Sequence, residues 1–135
     1  MPQLGTPRGA GEIIVRKKAA VTLTLKEGPR EVQAYVTSSP FLFVHRPFKR
    51  NGEGLCSAPK SGWTVTHGPT GLGCCKSPLN SLLQALAYAE RFAGGAEEQD
   101  IDLDFADQNE VDGTVMARLG VICQSARDHV FEHVR

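Results

Sequence analysis

The sequence predicts an α+β fold: an antiparallel sheet of about four to five strands over residues 12–76, with two helices, about 78–93 and 114–134, packed on one face. Three observations predict it. Apolar residues alternate at period two through the first half, Gly and Pro punctuate that alternation at short intervals, and apolar residues in the second half recur at helical spacing. With 135 residues, 41% apolar and 22% charged, the chain fits one packed domain, residues 12–135, behind a flexible tail, residues 1–11, rich in Gly and Pro.

Each element has its own signal. In AAVTLTLKEG, Val21, Leu23 and Leu25 alternate with Thr22, Thr24 and Lys26, which predicts a half-buried strand. Gly28-Pro29 turns the chain, and Val32, Ala34 and Val36 alternate again, so residues 19–38 read as a β-hairpin, with EIIVRK a candidate strand before it. FLFVH, after Pro40, is a further apolar strand. Residues 47–61 read as a long loop of Gly, Pro and Asn, a length that often serves function. GWTVTH resumes the strand pattern, with Trp63, Val65 and His67 on one face.

Ser77-Pro78 predicts a helix start, a capping hydroxyl followed by proline in the first turn. Leu79, Leu82, Leu83 and Leu86 make its apolar stripe, and Gly94-Gly95 is expected to end it. Ile101, Leu103 and Phe105 alternate with Asp100, Asp102 and Asp104, as in a short strand with an acidic face or a loop pinned by its apolar side chains. Val115, Leu119, Ile122, Ala126 and Val130 predict the second helix.

Formal net charge is zero, yet residues 1–50 carry +6 and the remainder −6. Such asymmetry suits either an anionic partner for the basic half or mutual neutralisation in the fold or in a dimer. No apolar run is long enough to span a bilayer, and the N-terminus lacks a cationic segment followed by an apolar one. A cytoplasmic location is therefore expected, with no membrane partner and with Cys56, Cys74, Cys75 and Cys123 as reduced thiols.

Five patterns suggest chemistry. GPTGLGCCKS resembles a phosphate-binding loop, but Thr70 and Cys75 stand where that pattern needs glycine. A hairpin turn at Gly68-Pro69-Thr70-Gly71 accounts for the residues better. A simpler anion site remains at the helix start, from Lys76 and Ser77 with His67. The terminal His129, Glu132 and His133 have the spacing of an inverted zinc-peptidase motif, but only Val134 and Arg135 follow to supply a third ligand.

The four thiols contain no C-x-x-C pair, the spacing that makes a zinc site convincing, and a cysteine nucleophile served by His45 or His67 is not singled out by any motif. Asp100-x-Asp102-x-Asp104 lacks the Gly and Glu of a calcium loop. Last, Arg16, Lys17 and Lys18, with Tyr35, Phe41, Phe43, Arg46, Phe48, Lys49 and Arg50, interleave cations and rings as sheets that bind single-stranded nucleic acid do.

The expectation is a small non-enzymatic binding protein whose partner is another protein or a second copy of itself. Two alternatives stand beside it. One is a single-stranded nucleic-acid binder using Arg16, Lys17, Lys18, Arg46, Phe48, Lys49 and Arg50. The other is a small-anion or phosphate-binding enzyme using Lys76, Ser77 and His67. No metal, cofactor or catalytic residue is expected.

Overall fold

The structure, a computed structural model, describes residues 17–25, 28–51, 54–57, 62–75 and 78–134, and the side chains of 49–51, 54–57 and 108 fall outside the description. The expected tail at 1–11, Arg16, Lys76 and Ser77, and the side chains of Lys49, Arg50 and Cys56 lie outside the described residues. Strands β1 (Lys17–Leu25), β2 (Gly28–Val36), β3 (Leu42–His45), β6 (Thr64–His67) and β7 (Leu72–Gly73) form one antiparallel sheet in the order β1-β2-β3-β6-β7. Strands β4 (Phe48–Asn51) and β5 (Gly54–Ser57) form a separate hairpin, and α1 (Leu82–Glu98) and α2 (Gly113–His133) complete the α+β architecture.

β1 and β2 pair along their whole length, from Lys17–Val36 to Leu25–Gly28. β2 then meets β3 over two residue pairs only, Tyr35–Val44 and Val36–Phe43. The β1–β2 ribbon is thus free to diverge from the rest of the sheet, and its far end curls back. The Thr24 amide donates to the Gly68 carbonyl at 3.1 Å, so the end of β1 meets the turn between β6 and β7. That turn uses Gly71 at φ +75°, where a Cβ would overlap the Thr24 carbonyl. The hairpin expected at Gly68–Gly71 is therefore present, and its glycine answers both to conformation and to a close neighbour.

Both faces of the sheet are covered. Leu42, Val44 and Val65 point toward the helices and join Leu86, Tyr88, Phe92, Leu119, Ile122 and Val130 in the main core. Side-chain alternation puts Leu23 and Ala34 on the other face, where they are fully buried outside that core, and buried His45 and Thr66 join them there. α1 packs on β3 and β6, and α2 packs on α1. Consistent with burial from two sides, α1 is buried continuously from Gln84 to Ala89, and every second residue there is an alanine that lets its neighbours approach. Buried Gln84 has its amide engaged at both ends: its oxygen accepts from Asn80 N–H at 3.0 Å, and its nitrogen donates to the Val134 carbonyl at 2.8 Å.

Three expectations are corrected. The first helix starts at Leu82, capped by Ser81, whose hydroxyl accepts from Gln84 N–H at 3.1 Å. Leu79 instead forms an antiparallel bridge with Trp63, so it extends the sheet rather than the helical stripe. The helix also continues through Gly94-Gly95 to Glu98. Gly95 is there for packing: a Cβ would come within 2.7 Å of Ile122 Cγ2, so its absence lets α2 approach. The third concerns 47–61, expected as a loop, of which Phe48–Asn51 and Gly54–Ser57 pair as a hairpin. The acidic stretch is the pinned loop, with Ile101, Leu103 and Phe105 buried and Asp102 and Asp104 exposed.

The two adjacent glycines of α1 should respond oppositely to alanine. At Gly94 an added methyl would have nothing within 4 Å, so Gly94→Ala should raise stability by about 0.5–1 kcal/mol through helix propensity. Gly95→Ala should lower it by about 1–3 kcal/mol through overpacking against Ile122. Urea melts of the two variants check this, and shifts of the same sign would refute the packing account.

Candidate functional site

The divergence of β2 from β3 opens a cleft of about 490 Å³, and the first half of the chain lines it. Because the ribbon separates there, side chains of both parities reach the opening. Lys18 and Tyr35 are cross-strand partners, while Arg30 and Val32 lie on the other face of β2. His45, Arg46 and Phe48 come from the chain leaving β3, and Trp63 from the residue before β6.

Cations stack on rings around this opening. The Arg46 guanidinium sits 3.8 Å from the Trp63 ring centroid, the Lys18 ammonium 5.6 Å from Tyr35, and the Arg30 guanidinium 5.5 Å from Phe48. The rings also contact one another or a histidine: Tyr35 meets Trp63 edge-on at 5.8 Å, and Phe48 stacks on His45 at 4.9 Å. Each cation–ring pair contributes on the order of 0.5–2 kcal/mol, depending on its exposure. Among the described lining residues three cations face one carboxylate, Glu31, which makes this lining net positive.

Arg46 is held twice, since its guanidinium also donates to the Gly62 carbonyl at 3.1 Å. Gly62 itself has φ +85°, and a Cβ there would stand 2.5 Å from the Leu79 carbonyl. That crowding follows from the bridge in which Trp63 N–H donates to Leu79 O at 2.9 Å and Leu79 N–H returns to Trp63 O at 2.7 Å. A backbone ladder thereby fixes Trp63, and Trp63 fixes Arg46.

Of the residues expected to bind nucleic acid, Lys18, Arg46 and Phe48 share this cleft. Lys17, paired with Val36 at the end of the ribbon, does not line it. Lys49 and Arg50 belong to β4, directly after Phe48, while Arg16 lies outside the described residues. Arg30 and Trp63 were not among the expected binding residues. The hairpin register pairs Arg30 with Leu23, on the face opposite Lys18 and Tyr35, so alternation alone does not bring it to the cleft. Trp63 carried a weak signal, as a lone Trp between Gly62 and an alternating strand.

His67, expected beside Lys76 and Ser77, has both ring nitrogens committed to the fold. Nε2 donates to the Leu103 carbonyl at 2.7 Å, so Nδ1 accepts from the Thr70 hydroxyl at 2.7 Å. Its ring stacks on Phe105 at 4.5 Å. His45 has the opposite tautomer: Nδ1 donates to the Arg46 carbonyl at 2.7 Å, and Nε2 accepts from the Thr66 hydroxyl at 2.7 Å. At the C-terminus, the His129 and His133 rings face each other at 4.6 Å. Among the described residues, no group of three or more His, Cys, Asp or Glu side chains is placed to hold a metal ion. No helix among them is long and apolar enough to cross a membrane.

Burial holds the pKa of both His45 and His67 below the ordinary 6.5, against the partly offsetting effect of their backbone hydrogen bonds. A histidine whose folded pKa is depressed takes up its proton in the unfolded chain first. Its contribution is therefore complete above pH 6.5 and is lost as pH falls from 6.5 toward the folded values. Denaturant melts should show the midpoint falling between about pH 7 and pH 5. A midpoint that holds steady across that range would mean that neither ring is desolvated as described. Comparison with family models, with curated proteins and with solved structures finds no match to this chain.

Proposed function

We propose that this protein binds single-stranded nucleic acid in the cleft between β2 and β3. The observation that carries the reading is the stacking of Lys18, Arg30 and Arg46 on Tyr35, Phe48 and Trp63 around one opening. Single-stranded chains are held by cations that track phosphate and by flat groups on which bases stack. A guanidinium lying on a ring offers both at once, a charge for phosphate and a second flat surface for a base. In the sequence of β4, Lys49 and Arg50 follow Phe48 directly.

A protein partner or a second copy of the chain has weaker support. The large apolar side chains exposed among the described residues are Val121 and Phe131, both on α2. They stand ten residues apart, about 80° around the helix axis. Arg127 lies 4.7 Å over the Phe131 ring and covers part of it. Scattered apolar residues of this kind are ordinary on a surface and do not form a patch.

Anisotropy of a labelled, mixed-sequence single-stranded DNA, titrated with the protein at low and moderate salt, tests the proposal. Saturable binding that weakens with salt is expected, each phosphate contact adding about −0.7 to the logarithmic slope. Lys18→Ala should flatten that slope by about one contact, as should Lys49→Ala. Phe48→Ala should weaken binding at every salt concentration, by about 1–3 kcal/mol if one base stacks on it. Absence of binding at low salt would overturn the reading, and light scattering at high protein concentration would then decide between a monomer and a self-associating protein.

A further inference from the structure

A second cavity, of about 270 Å³, lies between β7, the acidic loop and α2, and it shares no residue with the basic cleft. Leu103 and Phe105 of the loop, Phe92 of α1, and Met116 and Leu119 of α2 form its apolar walls. Cys74, Cys75 and Cys123 supply sulfur along another side. Among the described residues no Lys, Arg, Asp or Glu lines it, and the lining His67 has both ring nitrogens hydrogen-bonded to the fold. The thiols are held in place: the Tyr88 hydroxyl donates to the Cys74 carbonyl and lies 2.7 Å from Cys123 Sγ, and the Cys123 thiol donates to the same carbonyl at 3.0 Å. Cys75 Sγ sits 3.4 Å from the Thr64 hydroxyl.

Gly120 stands at the opening, in the interior of the 21-residue helix α2. A glycine there costs about 1 kcal/mol relative to alanine. Packing does not require it, because an added Cβ would have no atom within 4 Å. Its effect is to keep the opening clear. Gly95, by contrast, answers to Ile122.

We infer that this pocket binds a small, neutral, aromatic molecule about the size of two fused rings. The volume exceeds that of an apolar cavity of about 150 Å³ known to take up benzene. Thiol and thioether sulfur make favourable contacts with aromatic rings, and Phe92 and Phe105 add aromatic side chains to the lining. Charge selects against anions such as fatty acids. The described walls offer no counter-charge, and Asp102 and Asp104 alternate with the pocket-lining Leu103 and Phe105 on the same short loop, exposed to solvent.

The test uses prodan, a neutral fluorescent naphthalene, with the full chain, and naphthalene as competitor. Saturable, blue-shifted emission that naphthalene displaces is expected. Gly120→Leu should abolish it by filling the opening, while Val121→Ser on the neighbouring exposed position should leave it unchanged. A folded Gly120→Leu variant that binds prodan as well as the parent, or a parent that shows no saturable emission, would overturn the inference. Alkylation of the unmodified chain by iodoacetamide, mapped by mass spectrometry, gives a readout that needs no variant. Naphthalene at about ten times its dissociation constant should slow labelling of Cys75 and Cys123 roughly tenfold. Unchanged labelling rates would count as refutation.

Discussion

Two main-chain hydrogen bonds between Trp63 and Leu79 fix the relation between the sheet and everything that follows it. They draw the segment leaving β7 back alongside β6 before any helix begins, which is why α1 starts at Leu82 and why Leu79 is fully buried. The approach is close enough that residue 62 must lack a side chain. The same two bonds seat Trp63 on the rim of the main core with one surface left for Arg46. A backbone constraint thus sets the position of α1, the burial of the core and the shape of the cleft together.

The sheet depends on a second asymmetry, the short contact between β2 and β3. A fully paired sheet would have zipped the basic ribbon against its neighbours and closed the cleft. With two pairs only, the ribbon can twist away, bury Leu23 and Ala34 on the face opposite the helices and leave its cations beside the rings. The histidines stand on either side of this sheet. His45 faces the smaller core and the cleft, whereas His67 faces the loop that walls the thiol pocket. Each is kept neutral by burial and oriented by one carbonyl and one hydroxyl, with the tautomers reversed.

Local periodicity made much of the fold legible. The alternation of Val21, Leu23 and Leu25 matches their burial, and Leu119, Ile122, Ala126 and Val130 are the buried face of α2 as spaced. Signals that depend on tertiary partners were not legible. Gly94-Gly95 reads as a helix stop by propensity, yet Ile122, remote in sequence, makes Gly95 a contact point. Ser77-Pro78 reads as a cap by local chemistry, yet the bridge to Trp63 delays the helix to Ser81. The hairpin of β4 and β5 was obscured by the Gly- and Pro-rich composition of residues 47–61. The cleft was legible as a composition of cations and rings, but its membership depended on where along the ribbon the opening falls, which brought in Arg30 and left out Lys17.

The contact between Thr24 and Gly68 also bears on the order in which the chain assembles. β1 and β2 pair between near neighbours in sequence, so their ribbon needs little chain entropy to form. Closing that ribbon onto the β6–β7 turn requires β3, β6 and the turn itself to be in place, and is a contact of long sequence separation. Loop-closure entropy makes it a late step. Among the described residues the seam is held by one backbone hydrogen bond and the fit of Gly71 against Thr24, which makes it a natural first point of local opening. Hydrogen exchange at the Thr24 amide reads it directly, and protection there as strong as in the middle of β3 would show that the ribbon and the sheet open only together.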